Sequence, residues 1–126
     1  NPVYYVQYAH ARVCSILRNL AADGITPREC TLEELGLLAA PEEAELIRQI
    51  SAYTSEVDGA AKAMDPARIT RYVMALSTLF HKFYNACRVK GDNPALTAAR
   101  LYLCTAFKQV LENGLSLFKV TAPDSM

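Results

Sequence analysis

Tyr4, Tyr8 and Arg12 stand four residues apart inside the opening stretch NPVYYVQYAHAR. That spacing puts side chains on one face of a helix. Tyrosine rings stack on unpaired bases, and a guanidinium both stacks and meets phosphate, so the stripe has the chemistry to hold single-stranded nucleic acid. With Tyr8 at zero on a helical wheel, Tyr4, Arg12, Ser15 and Asn19 fall within about 40° of it. Val6, Ala9, Val13, Ile16, Leu17 and Leu20 cluster between about 80° and 180°. The apolar cluster is the core stripe, Tyr5 borders it, and Tyr4 and Tyr8 lie outside it. A second stripe pairs Tyr84 with Arg88. Thr70, Ser77 and His81 lie within about 60° of Tyr84, just off an apolar stripe of Ile69, Tyr72, Val73, Leu76, Leu79, Phe80, Phe83 and Cys87. The plainer alternatives are that an off-stripe tyrosine packs on a connector or another domain, and that His81 is a satisfied helix histidine.

Other chemistries find no support. The five glycines are scattered and form no phosphate-cradling loop. No Cys–His or Ser–His spacing suggests a nucleophile, so no catalytic residue is assigned. Cys14, Cys30, Cys87 and Cys104 form no Cys-x-x-Cys pair, and His10 and His81 are the only histidines, so no metal site is expected. Spacing alone leaves disulfides open. Cys14, Cys87 and Cys104 fall within apolar helical patterns, where reduced cysteine acts as a small hydrophobe, and this favours a reducing, cytoplasmic setting.

The elements that must carry these stripes are helices. The chain has 126 residues, the size of one domain, and 52% hydrophobic content, enough for a core. No window approaches a membrane span, and the first residues are not those of a signal peptide. The chain lacks an initiator methionine, which suggests a piece of something longer. The period is helical almost throughout. The first helix runs from about Pro2 to Ala22, with Gly24 after its end. Thr31 and Glu34 fit a capping box on a short turn. A second helix runs from near Pro41 to about Met64, with a break expected near Gly59. Asp65–Pro66 marks a third, with Asp65 as cap, reaching about Val89. Asn93–Pro94 starts a fourth, which Asn113–Gly114 stops before a last short turn at Leu115 to Phe118. The fold expected is an all-α antiparallel bundle of about four main helices, residues 1–126 forming one domain. Net charge is zero but uneven: residues 23–58 hold nine acids against two bases, and residues 59–126 nine bases against four acids. Part of the surface therefore suits an anionic partner, and the acidic run 29–45 is most simply a solvated face.

The stretch NPVYYVQYAHARVCSILRN resembles the first helix of the C-terminal anticodon-binding (DALR-type) domain of class I arginyl-tRNA synthetases, where the block NP-x-YYVQYAHAR recurs. LSTLFHKFYNACRV at 76–89 is similar to that family's Phe-His-x-Phe-Tyr helix. ARLYLCTAFKQVLENGLSLFKVTAPDSM at 99–126 is similar to its closing helix and tail, which ends at a methionine. Residues 31–64 match loosely. The opening block argues against the related domain of cysteinyl-tRNA synthetases.

The resemblance implies a module that grips the anticodon stem and loop of arginine tRNA. Tyr8 and Arg12 match positions that touch the loop, Tyr84 matches a tyrosine packed on an anticodon base, and Met126 with its carboxylate matches a pocket wall. Arg88 joins this RNA-binding set, with Tyr4, Ser15, Asn19 and His81 as further candidates. The parent enzyme joins arginine to tRNA with ATP, with magnesium, on a catalytic domain whose HIGH-like and KMSK-like motifs are absent here. That missing domain is a second expected partner, no cofactor is expected in this chain, and the chain alone is not expected to aminoacylate. Two departures stand out. The tail reads Ala122-Pro123-Asp124-Ser125-Met126 where the family often has Pro-x-Glu-Arg/Lys-Met, and Arg88 replaces a second aromatic found in some members. The competing reading is a helical docking domain without intrinsic RNA specificity, its tyrosines set against another domain. An enzyme in its own right would need a perturbed acid–base pair that the sequence does not offer.

Overall fold

The computed structural model describes residues 1–118, 123, 124 and 126. Among these every regular element is helical: α1 (Pro2–Ala22), α2 (Leu32–Leu35), α3 (Pro41–Ser51), α4 (Tyr53–Ala63), α5 (Ala67–Ala86) and α6 (Pro94–Ser116). α1 is started by Asn1, whose Oδ1 accepts the Val3 N–H at 3.0 Å, with Pro2 at the first turn. It ends in a Schellman pair: Gly24, at φ +80°, donates to the Ala21 carbonyl at 2.9 Å, and Ile25 donates to Leu20 at 2.9 Å. The Thr31–Glu34 capping box is present, with bonds of 3.1 and 2.9 Å. Arg28, then the Thr31 N–H, holds the Glu34 carboxyl down at about 2.

The core is aromatic at its centre. Phe80, Phe83 and Phe107 are fully buried, and Phe80 stacks on Phe107 with centroids 4.1 Å apart. Contacts fix the directions. Val73 meets Gly114 and Phe80 meets Phe107, so α5 and α6 are antiparallel. His10 meets Glu112 and Cys14, one turn on, lies near the Lys108 charge, so α1 and α6 are antiparallel too. Tyr72 meets Gln49 and Arg68 meets Glu56, which sets α3 and α4 against α5 the same way. α1 and α5 therefore run parallel, and they touch.

The second expected helix is broken at Ala52 rather than near Gly59. The Tyr72 hydroxyl donates to the Gln49 carbonyl, which also accepts the Ala52 N–H at 3.2 Å in a tightened last turn. Ser51 Oγ turns back to Ile47 O at 2.8 Å, a bond that bends helices. Gly59 stays inside α4, against the Arg68 guanidinium. Asp65 does not cap α5 with its carboxylate, which turns to Arg71 at 3.2 Å, and the helix begins at Ala67. Nor does the acidic run form a wholly solvated face: Glu43 is 1% exposed and paired with Arg100 Nε at 2.8 Å.

Gly114 does not stop α6, which continues to Ser116. A Cβ there would lie 2.7 Å from Val73 Cγ1, so the glycine permits the close approach of α6 to α5. Valine is stiff about χ1 and yields poorly. Gly114→Ala is therefore expected to destabilise the fold by about 1–2 kcal/mol despite its better helix propensity. Urea denaturation would measure it. Val73→Ala should then be less damaging in the Gly114→Ala background than in the wild type.

Candidate nucleic-acid interface

The parallel run of α1 and α5 sets their one-turn repeats side by side. Tyr5 and Tyr8 approach His81 with ring centroids 5.3 and 5.7 Å apart, and Arg12 reaches both His81 and Tyr84 one turn farther on. The Tyr5 hydroxyl is bonded to Thr78 Oγ1 at 3.0 Å, so this border tyrosine is a helix–helix contact. Arg12 Cζ sits 3.9 Å from the Tyr84 ring centroid and 5.4 Å from that of Tyr8. Its Nη1 donates to His81 Nδ1 at 2.9 Å. The guanidinium is thus clamped between rings and imidazole, a geometry in which cation–π attraction is effective.

A cleft of about 340 Å³ opens beside this clamp, lined by Tyr8, Ala11, Arg12, Ser15, Ile16, Arg18, Asn19, Tyr84 and Met126. Its size lies at the lower end for small-ligand sites. Six residues singled out from sequence are gathered here: Tyr8, Arg12, Ser15, Asn19, Tyr84 and Met126. Tyr8 and Tyr84 remain 45% and 41% exposed, so part of each ring is accessible to a partner, although Arg12 already covers one face of Tyr84. Tyr4 and His81 line an adjoining hollow with Tyr5, Tyr8 and Arg12.

Arg88 is not on the Tyr84 stripe. α5 ends at Ala86, and Cys87 is extended (φ −125°, ψ 122°). Burial then alternates, with Cys87 and Val89 inside and Arg88 and Lys90 outside. Arg100 Nη1 holds the Arg88 carbonyl at 2.8 Å. Arg88 lines a second depression, with Asn85, Lys90, Tyr84 and Asn19. A helix-length count from Tyr84 overlooked the pull of two small apolar side chains into the core.

The sequence also under-read His10 and Arg18. His10 is fully buried, with Nδ1 on the Pro123 carbonyl at 2.6 Å and Nε2 on the Glu112 carboxylate at 2.7 Å. Arg18 Nη1 donates to the Asp124 carbonyl at 2.9 Å. Together they fasten Pro123 and Asp124 to α1, close in sequence to Met126 at the cleft. The available signal was a histidine about 200° from Tyr8, at the edge of the apolar stripe, where an unpaired polar ring would be costly. Asp124 Oδ1 and Cys14 Sγ lie within 4.8 Å of His10, a set with metal-ligand chemistry. Both His10 nitrogens are already bonded, and Cys14 Sγ is nearly equidistant from them at 3.8 and 3.9 Å, off the line of either lone pair. The arrangement is a hydrogen-bonded clasp. Burial pushes the Cys14 thiol up, and pushes Cys104 to about 12, so both stay protonated; all four cysteines are free.

His81 is half-buried. Desolvation, and then the Arg12 charge, holds its imidazole below the ordinary value. Its Nε2 is buried and, among the described residues, without a partner.

Fold and cleft together define a helical recognition module, built of aromatic rings around the held Arg12 guanidinium, with Arg18 on the same cleft. The chain belongs to the DALR anticodon binding domain family, whose model matches residues 6–126. It is 49% identical over its whole length to the arginine–tRNA ligase of Caldanaerobacter subterraneus subsp. tengcongensis, and 50% identical to that of Moorella thermoacetica, covering 22% of each. The solved Thermus thermophilus arginyl-tRNA synthetase superposes with a TM-score of 0.81 at 29% identity, over 97% of this chain and 21% of that one. The chain thus spans about a fifth of the length of these relatives. No helix among the described residues is long and apolar enough to cross a membrane.

Proposed function

We propose that this chain recognises the anticodon stem-loop of an arginine-accepting tRNA, as the RNA-reading part of an arginine–tRNA ligase. One observation carries the reading: the cleft that unites Tyr8, Arg12, Tyr84 and Met126 offers two part-exposed rings, a guanidinium and a methionine wall in one place. Unpaired bases splayed from a loop are held by such surfaces, and the arginine supplies a phosphate partner. Ser15 and Asn19 give hydrogen-bonding groups on the same wall. Arg88, from its neighbouring depression, meets the phosphate backbone rather than the base in the cleft. Tyr4, 60% exposed beyond the cleft, extends the same face toward the N-terminus.

The full-length protein, on this reading, attaches arginine to its tRNA with ATP and magnesium bound in a catalytic domain outside this chain. It works in the cytoplasm, and that catalytic domain is this module's second partner.

The test is a titration of the chain with the anticodon stem-loop of arginine tRNA, and with the same loop carrying a changed middle base, at low salt. A preference of about tenfold for the first is expected if one base is read by direct contacts. Equal weak binding to both would reduce the cleft to a basic surface and return specificity to the rest of the enzyme.

A further inference from the structure

An arginine can only donate hydrogen bonds, so the nitrogen it meets must offer a lone pair. Arg12 Nη1 lies 2.9 Å from His81 Nδ1, so the proton of the neutral ring sits on Nε2. That Nε2 is buried and, among the described residues, has no partner. The ring therefore has one polar task, to accept from Arg12. The groups facing it from α1 are Tyr5, Tyr8 and Arg12, and from its own helix Phe80. No carboxylate among the described residues is bonded to it, so nothing there would welcome an imidazolium.

We propose that His81 is a positioning residue of this interface: as a neutral acceptor it fixes the Arg12 guanidinium over Tyr84, and on protonation it releases that guanidinium. Two donors would then face each other at hydrogen-bond distance beside a fixed positive charge. Arg12 would leave the Tyr84 ring, where it now sits 3.9 Å from the centroid, and the cleft would lose the cation prearranged over its aromatic wall. The depressed affinity of His81 for a proton agrees with this. The consequence inverts the usual trend. A histidine beside a nucleic-acid surface normally strengthens binding in acid, because it adds positive charge. Here acid weakens it. The inference deepens the proposed RNA-binding reading, but its first half concerns the free chain alone.

The free chain is examined first by NMR between pH 7.5 and 5. The Arg12 side-chain signals, shifted by the Tyr84 ring, should move with the same midpoint as the His81 ring carbons. His81→Asn keeps an acceptor near the Nδ1 position and does not titrate, so its Arg12 signals should stay still. Arg12 signals that ignore His81 protonation in the wild type would overturn the proposal, whether or not RNA binds. The arginine anticodon stem-loop is then titrated at fixed ionic strength. Wild-type affinity should fall about tenfold on acidification, the scale of one hydrogen bond to a charged group, while His81→Asn holds its neutral-pH affinity. Parallel pH profiles for the two proteins would sink the link to binding. Failure of the wild type to bind at any pH would instead refute the RNA reading and leave the NMR result to decide the role of His81.

Discussion

Replacing Glu43 with alanine is expected to remove about 3–5 kcal/mol of stability, the scale on which a buried pair fails when one partner is deleted. Glu43 sits in the first turn of α3, where its charge suits the helix dipole, yet it is 1% exposed. One carboxylate oxygen accepts the Ala40 N–H at 3.0 Å, which would otherwise be an orphan donor at the helix start. The other accepts Arg100 Nε at 2.8 Å, and Arg100 is itself largely buried at 17% exposure. Alanine would strand a guanidinium and a backbone donor together. A domain of this size has about 5–15 kcal/mol in all, so the loss would be a large part of it. Urea denaturation at neutral pH would measure it, and Glu43→Gln, which keeps an acceptor without the charge, should fall between. A change under about 1 kcal/mol would mean that water already shares the pair. The effect should also reach the interface. Arg100 holds the Arg88 carbonyl with its other arm, so a loosened Arg100 frees the 87–90 segment beside Tyr84.

What the sequence disclosed and what it hid divide along a physical line. The Thr31–Glu34 box, the Asn93 cap, the apolar stripes and the off-stripe placing of Tyr8, Arg12 and Tyr84 follow from local chemistry at three- and four-residue spacing, and these were legible; the Asp65 cap was not borne out, because its carboxylate turns to Arg71. The break at Ala52 was not legible, because it depends on a hydroxyl from Tyr72, twenty-three residues away, capturing the Gln49 carbonyl. Gly114 read as a stop because its purpose is contact with Val73 on another helix. Arg88 left its expected stripe because burying Cys87 and Val89 outweighed one more turn of helix. Glu43 looked like one more surface acid because its partner lies fifty-seven positions on. The His10 clasp was half legible: a histidine at the edge of an apolar face demands partners, but only the fold says that Pro123 and Glu112 supply them. Tyr84 joins the four cleft residues of α1 because α1 and α5 run parallel, a fact of topology that no single helix contains, and Met126 joins them from beyond α6.

The cleft itself makes the second large prediction. Tyr84→Ala is expected to weaken stem-loop binding by about 1–3 kcal/mol, roughly 5- to 150-fold, the range for losing one stacking platform. Stacking involves no ion release, so the dependence of affinity on salt should stay as it was. Arg12→Ala should weaken binding to a similar degree and also flatten that dependence by about 0.7 in the log–log slope, if its guanidinium meets one phosphate of a single strand. The two residues are not independent. Arg12 Cζ lies 3.9 Å from the Tyr84 ring centroid, and each keeps the other in place. The double variant should therefore lose less than the two single losses added together. Tyr84→Phe, which keeps the ring and removes the hydroxyl, should bind nearly as well as the wild type. Titrations at three or more salt concentrations would separate these outcomes. Strict additivity would mean that the clamp between arginine and ring does not persist when RNA is bound. Wild-type affinity in Tyr84→Ala would move the base-holding site away from this cleft, toward the depression that Arg88 lines.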